Sequence, residues 1–105
     1  MRFVETPVFT EAIVELVADD GYTSLQLALI MRPDSGVVIP GSGGVRKMRW
    51  RLPGRGKRGG LRIIYFFEQA PQVFYMLYVY RKSDARDLTQ AQIRFLKRLV
   101  AMEFS

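Results

Sequence analysis

Between Arg46 and Arg62 the chain reads RKMRWRLPGRGKRGGLR, a stretch whose residue types suit it to holding phosphate. Eight of these residues are basic (Arg46, Lys47, Arg49, Arg51, Arg55, Lys57, Arg58 and Arg62), half of the sixteen in the protein, and none is acidic. From Ser35 through Phe67 there is no carboxylate at all. Cations with no counter-ion of their own make a field that draws a polyanion, whereas a face that is basic only for solubility usually mixes both signs. A nucleic-acid or phosphate partner is therefore expected.

The residue inventory narrows the chemistry. Cysteine and histidine are both absent, which removes disulfides, thiolate nucleophiles, ordinary zinc sites and the usual general base. Chemistry must come from Lys, Arg, Tyr or carboxylates, and no metal or other cofactor is implied. Gly54-Arg55-Gly56-Lys57-Arg58-Gly59 matches GxGxxG letter by letter. The dinucleotide fingerprint, however, opens a helix within a βαβ unit, and here the pattern that follows is a strand. Two readings stay open for this segment: a phosphate cradle, with glycines admitting close approach and Arg55, Lys57 and Arg58 supplying charge, or a soluble hairpin connection. The aromatics Trp50, Tyr65, Phe66, Phe67, Phe74, Tyr75, Tyr78 and Tyr80 are expected mostly in the core. Tyr80, at a strand end beside Arg81-Lys82, is the first choice for a ring that stacks on an RNA base.

These groups must be positioned by a small scaffold. The chain of 105 residues, 49% hydrophobic and 12% aromatic, is expected to fold as one domain over residues 1–105 with a real core. Its net charge of +6 favours an anionic partner without choosing among RNA, DNA and a lipid surface. Arg2, Glu5, Glu11 and Glu15 interrupt any signal-peptide pattern, and no apolar run approaches twenty residues, so a cytoplasmic protein with no membrane partner is expected.

Met1 to Glu5 reads as a short strand. Thr6-Pro7 then forms a helix start, an N-cap followed by proline at the first helical position. Phe9, Ile13, Leu16 and Val17 recur at helical spacing. Asp19-Asp20-Gly21 breaks that helix, and its aspartates are placed to cap a second one running to about Arg32, where Pro33 stops it. The two helices are expected to pack as an antiparallel hairpin. Asp34 to Gly44 reads as a surface loop. Val45 to Leu52 alternates with a period of two, Met48, Trp50 and Leu52 on one side and Lys47, Arg49 and Arg51 on the other. Leu61 to Glu68 and Val73 to Tyr80 form the strongest hairpin signal. A final helix starts at a capping box, Thr89-Gln90-Ala91-Gln92, and carries Phe95, Leu96, Leu99 and Val100 on its apolar side. The order predicts an α+β fold: an antiparallel sheet, an N-terminal helical hairpin packed on one face and a C-terminal helix. With the helices gathered on one face, the basic side chains line the open one.

The run GSGGVRKMRWRLPGRGKRGGLRIIYFFE, followed by YVYRKSDARDLT and a terminal helix, resembles the HigB branch of the RelE/ParE superfamily of toxins from bacterial type II toxin–antitoxin systems. The opening RFVETPVFTEAIVELVADDGY and the LQLALIMRPDSG helix end fall in the expected order, so the resemblance covers nearly the whole chain. It implies a RelE-like fold and a ribosome-dependent endoribonuclease that cuts mRNA in the decoding site. It also implies neutralisation by a cognate HigA-like antitoxin with a helix-turn-helix DNA-binding domain. Attack by a ribose 2′-hydroxyl needs a base, an acid and charge stabilisation at phosphorus. Lys57 and Lys82 are the proton-transfer candidates; Arg62 and Arg49 are candidates to hold the scissile phosphate, with Arg58 assisting. By the resemblance, Arg62 in GGLRIIY corresponds to the family's phosphate-binding strand arginine, and Lys82 to its basic residue after the last strand. Arg46, Lys47, Arg51, Arg55 and Tyr80 complete the expected RNA-binding set. The C-terminal tyrosine of some members has no match, because no Tyr follows Tyr80. Two other readings remain: a gyrase inhibitor of the ParE kind, and a non-catalytic RNA- or DNA-binding module.

Overall fold

The structure, a computed structural model, describes residues 1–51, 60–84 and 87–104. Eight elements follow one another: β1 (Arg2–Glu5), α1 (Pro7–Leu16), α2 (Asp19–Met31), β2 (Val37–Val38), β3 (Arg46–Arg51), β4 (Gly60–Glu68), β5 (Val73–Arg81) and α3 (Gln90–Phe104). They build an α+β fold on one five-stranded sheet of order β1-β5-β4-β3-β2. The long strands β3, β4 and β5 pair antiparallel as their alternation predicts, and β2, inside the expected loop, adds two residues at the β3 edge. β1 joins the far edge parallel to β5, so the sheet is mixed. The reason is connectivity: the chain leaves β1 through two helices, re-enters the sheet at the far edge as β2, and three antiparallel steps then bring β5 beside β1 running in the same direction.

Local chemistry sets the element ends. Thr6 Oγ1 accepts the Phe9 N–H at 3.0 Å and Pro7 occupies the first helical turn, as the sequence requires. At α3 the capping box closes in both directions: Thr89 Oγ1 accepts the Gln92 N–H at 3.1 Å, and the Thr89 N–H donates to Gln92 Oε1 at 2.8 Å. The start of α2 differs from expectation. Its N-cap is Ala18, which offers no side-chain acceptor, while Asp19 and Asp20 sit in the first turn, where their charge meets the positive end of the helix dipole.

Two apolar clusters lie on opposite faces of the sheet. One joins Phe9, Ile13 and Val17 of the first helical segment, and Leu25 and Leu29 of α2, to Met48, Leu61, Ile63, Tyr65, Phe74, Met76 and Val79. The other joins Leu96 and Val100 of α3 to Ile39, Val45, Ile64, Leu77 and Tyr80. The helical pair therefore covers one face and α3 covers part of the other. The expected bare face is half roofed, because β4 and β5 are apolar on both sides and each side must be kept from water.

A register shift between Ile64 and Tyr65 marks a bulge, in which Leu77 is the extra residue between the pairs Ile64 with Tyr78 and Tyr65 with Met76. Thr6 satisfies the carbonyls there: its N–H donates to the Met76 oxygen at 3.0 Å and its hydroxyl to the Leu77 oxygen at 2.8 Å. The bulge turns Leu77 and Tyr78 both toward α3. No helix among the described residues is long and apolar enough to cross a membrane.

Candidate nucleic-acid interface

The site is built by strand geometry. Side chains at i and i+2 share a face, and Met48 of β3 lies in the cluster under α1 and α2. Lys47, Arg49 and Arg51 thus face the α3 side. On β4, Leu61 and Ile63 belong to the first cluster, which puts Gly60 and Arg62 on the α3 side with them. The ladder then sets two rows across the sheet. Arg49 is the partner of Arg62, and Arg62 of Tyr80. One pleat further on, Arg51 is the partner of Gly60, whose carbonyl accepts the Lys82 N–H at 3.2 Å and so carries the ladder one step past β5.

These rows enclose a cleft of about 330 Å³, lined by Arg49, Trp50, Arg51, Gly60, Arg62 and Lys82. That volume sits at the lower end of the roughly 300–1,000 Å³ of small-molecule pockets, enough for a unit about the size of one nucleotide. A larger groove of about 470 Å³ lies elsewhere, between Thr6, Pro7, Val8, Leu77 and the flank of α3; its lining is almost wholly apolar and offers nothing to a phosphate.

Arg62 is the unusual member. It is only 8% exposed, and directly across the ladder stands another arginine. Like charges at facing positions repel, since their Cβ atoms lie about 5 Å apart. Among the described residues the one ion pair is elsewhere, Lys47 Nζ to Asp87 Oδ1 at 2.9 Å. Among the described residues neither arginine has a carboxylate within ion-pair distance, although the Asp87 carboxylate is near enough to interact with Arg62, and two facing guanidiniums can receive an anion with two acceptor oxygens.

Other sequence candidates are distributed differently. Arg46 lies on the opposite side of β3, where its Nη1 donates to the Gly36 carbonyl at 2.6 Å; it ties the β2 arm to the sheet. Lys47 is on the expected face but is held by Asp87, so the basic run is neutralised at one point by a carboxylate far along the chain. Asp87 Oδ1 also accepts the Leu88 N–H at 3.1 Å. The hydrogen bond from Lys47, aided by that N–H, holds the Asp87 carboxyl below the ordinary carboxylate range. Tyr80 is 6% exposed, packed at 5.5 Å from Tyr78 beneath α3, and so does not offer its ring to a base. Its hydroxyl finds no hydrogen-bond partner among the described residues. Burial pushes its pKa up, as does the nearby Asp87 carboxylate, against the opposing pull of Arg62. Arg55, Lys57 and Arg58 lie outside the described residues.

Three contributors escaped the sequence reading. Asp87 had a signal in its place just before a capping box, but nothing local says that it reaches Lys47. Trp50 was expected to be buried with Met48; it also lines the cleft and leaves its indole N–H without a partner among the described residues. Gly60, just outside the expected strand Leu61 to Glu68, opens β4. Among the described residues no group of three or more carboxylates, histidines or cysteines is placed to hold a metal ion. A family model described as the RelE toxin of the RelE/RelB toxin–antitoxin system matches residues 36–104, well over half of the chain and all four strands from β2 to β5.

Proposed function

This chain belongs to the RelE toxin family of toxin–antitoxin systems, and on that premise we propose that it is an endoribonuclease that cuts mRNA on the ribosome. Within the family it is assigned to the HigB-like branch, paired with a HigA-like helix-turn-helix antitoxin, and it acts in the cytoplasm. The observation that carries the reading is Arg62: buried, faced by Arg49, without a carboxylate in ion-pair contact among the described residues, and set in the wall of a cleft walled by cations.

The reaction needs little covalent chemistry from the protein. The ribose 2′-oxygen attacks the adjacent phosphorus, the bond to the 5′-oxygen breaks, and the products end in a 2′,3′-cyclic phosphate and a 5′-hydroxyl. One proton leaves the 2′-hydroxyl and another reaches the 5′-oxygen. Arg62 and Arg49 hold the non-bridging oxygens, where negative charge grows in the transition state, and Arg51 adds to the field. Lys82, exposed on the rim of the cleft, and Lys57 are the proton-transfer groups, with Arg58 assisting. Mutating Arg62 to Ala should lower cleavage by about 10²- to 10³-fold, the usual cost of one charge-stabilising donor. Lys82→Ala should lower it by a similar order if it moves a proton. Primer extension on a message under translation reads both, and undiminished cutting in the two variants overturns the reading.

A further inference from the structure

Glycine has no side chain, so where it lines a cleft it admits a closer approach by a ligand than any other residue. Gly60, the first residue of β4, lines the cleft. It stands in β4 directly between Arg51 of β3 and Lys82, which extends β5 by one hydrogen bond. Neighbouring strands are about 4.8 Å apart, so the backbones carrying these two cations lie about 10 Å apart with only a glycine between them. The next residue on the same face of β4 is Arg62, buried at the inner end of the cleft that Gly60 lines.

We propose that Gly60 is the specificity-setting residue of the cleft: its missing side chain is the floor of a slot that lets a single-stranded ribose-phosphate reach Arg62, and that keeps a duplex out. The proposal rests on the reading of the cleft as an RNA site. Any side chain at position 60 projects toward the same face as Arg49, Arg51 and Arg62, between the two outer cations. It would hold a phosphate away from the buried Arg62 guanidinium. A duplex meets the rim cations with both strands fixed in their helix, so on this proposal its binding does not depend on the floor.

The same geometry separates a binding role from a structural one. Valine suits a strand better than glycine does, so Gly60→Val should melt at the same temperature as the natural protein or higher, while losing function. The test uses a fluorescently labelled, fully 2′-O-methylated pentanucleotide, which lacks the attacking hydroxyl, and reads binding by anisotropy beside a duplex of the same sequence. Gly60→Val should weaken single-strand binding at least 10-fold and leave duplex binding unchanged; Gly60→Ala, which adds one methyl, should weaken single-strand binding about 3-fold. Single-strand affinity unchanged by both substitutions overturns the proposal, as does an equal fall for strand and duplex. If Gly60→Val fails to fold, the alanine variant decides alone. Arg62→Ala distinguishes this from the parent reading: a natural protein that binds the oligomer no better than Arg62→Ala does sinks the RNA site itself. Loss in Arg62→Ala without loss in the Gly60 variants sinks only the slot.

Discussion

Arg62 and Asp87 are read most clearly side by side, because each is a charge in a place where charge has a cost or a consequence. A guanidinium at 8% exposure facing a second arginine is held against both desolvation and repulsion, with the Asp87 carboxylate as a nearby opposite charge, and this is the arrangement on which the proposed phosphate role rests. Asp87 does the converse: it puts one carboxylate at the margin of the basic face and ties the start of α3 to β3 through Lys47. Its folded pKa is depressed, so the ion pair supports the fold above the ordinary carboxylate value of 3.8 and that support is lost as pH falls through the depressed value. The urea midpoint of the natural protein should therefore exceed that of Asp87→Asn at neutral pH, and the gap should close as pH drops below about 4. A gap that persists into stronger acid refutes the linkage. Period-two spacing revealed Lys47, Arg49 and Arg51 because alternation is a property of adjacent residues. Tyr80 deceived for the opposite reason: its neighbours in sequence are cationic, while its neighbours in space are the apolar residues of α3.

The aim of β3 depends on the arm before it. Between β2 and β3 the chain reverses through Gly41, Gly43 and Gly44 at φ of +78°, +78° and +105°, a conformation that side chains with a Cβ rarely adopt. Ser42, fully buried at the centre, holds that reversal: its hydroxyl donates to the Ile39 carbonyl at 2.6 Å and accepts the Val45 N–H at 3.0 Å. On the facing arm the Tyr65 hydroxyl donates to the Pro33 carbonyl at 2.8 Å and accepts the Gly36 N–H at 2.9 Å. Ser42→Ala strands a buried N–H and should cost about 1–3 kcal/mol in urea unfolding; a cost near zero would mean that the turn does not rely on the hydroxyl. Sequence periodicity found β3, β4, β5 and all three helices, with caps at Thr6 and Thr89 where they occur. The parallel pairing of β1, the bulge at Leu77 and the seating of α3 on the second face depend on contacts between distant segments, and no local pattern encodes them.

The net charge of +6 speaks of attraction to any polyanion, yet the architecture concentrates that attraction. Arg46 is spent on the β2 arm and Lys47 on Asp87, which leaves Arg49, Arg51, Arg62 and Lys82 together around one cleft. Composition could announce the sign of the partner but not this division, since it takes the sheet to put two neighbours in the chain on opposite faces. The consequence is measurable as counterion release. Each phosphate neutralised on a single strand contributes about −0.7 to the slope of log K against log salt concentration. Four converging cations predict a slope of about −3 for an uncleavable single-stranded oligomer. Arg62→Ala should make it shallower by about 0.7, whereas Arg46→Ala, on the other face, should leave it where it was. A titration series from low to physiological salt resolves these values. Equal slopes for Arg62→Ala and the natural protein would mean that RNA is held by diffuse surface charge, and that the convergence of the strand cations has no part in gripping it.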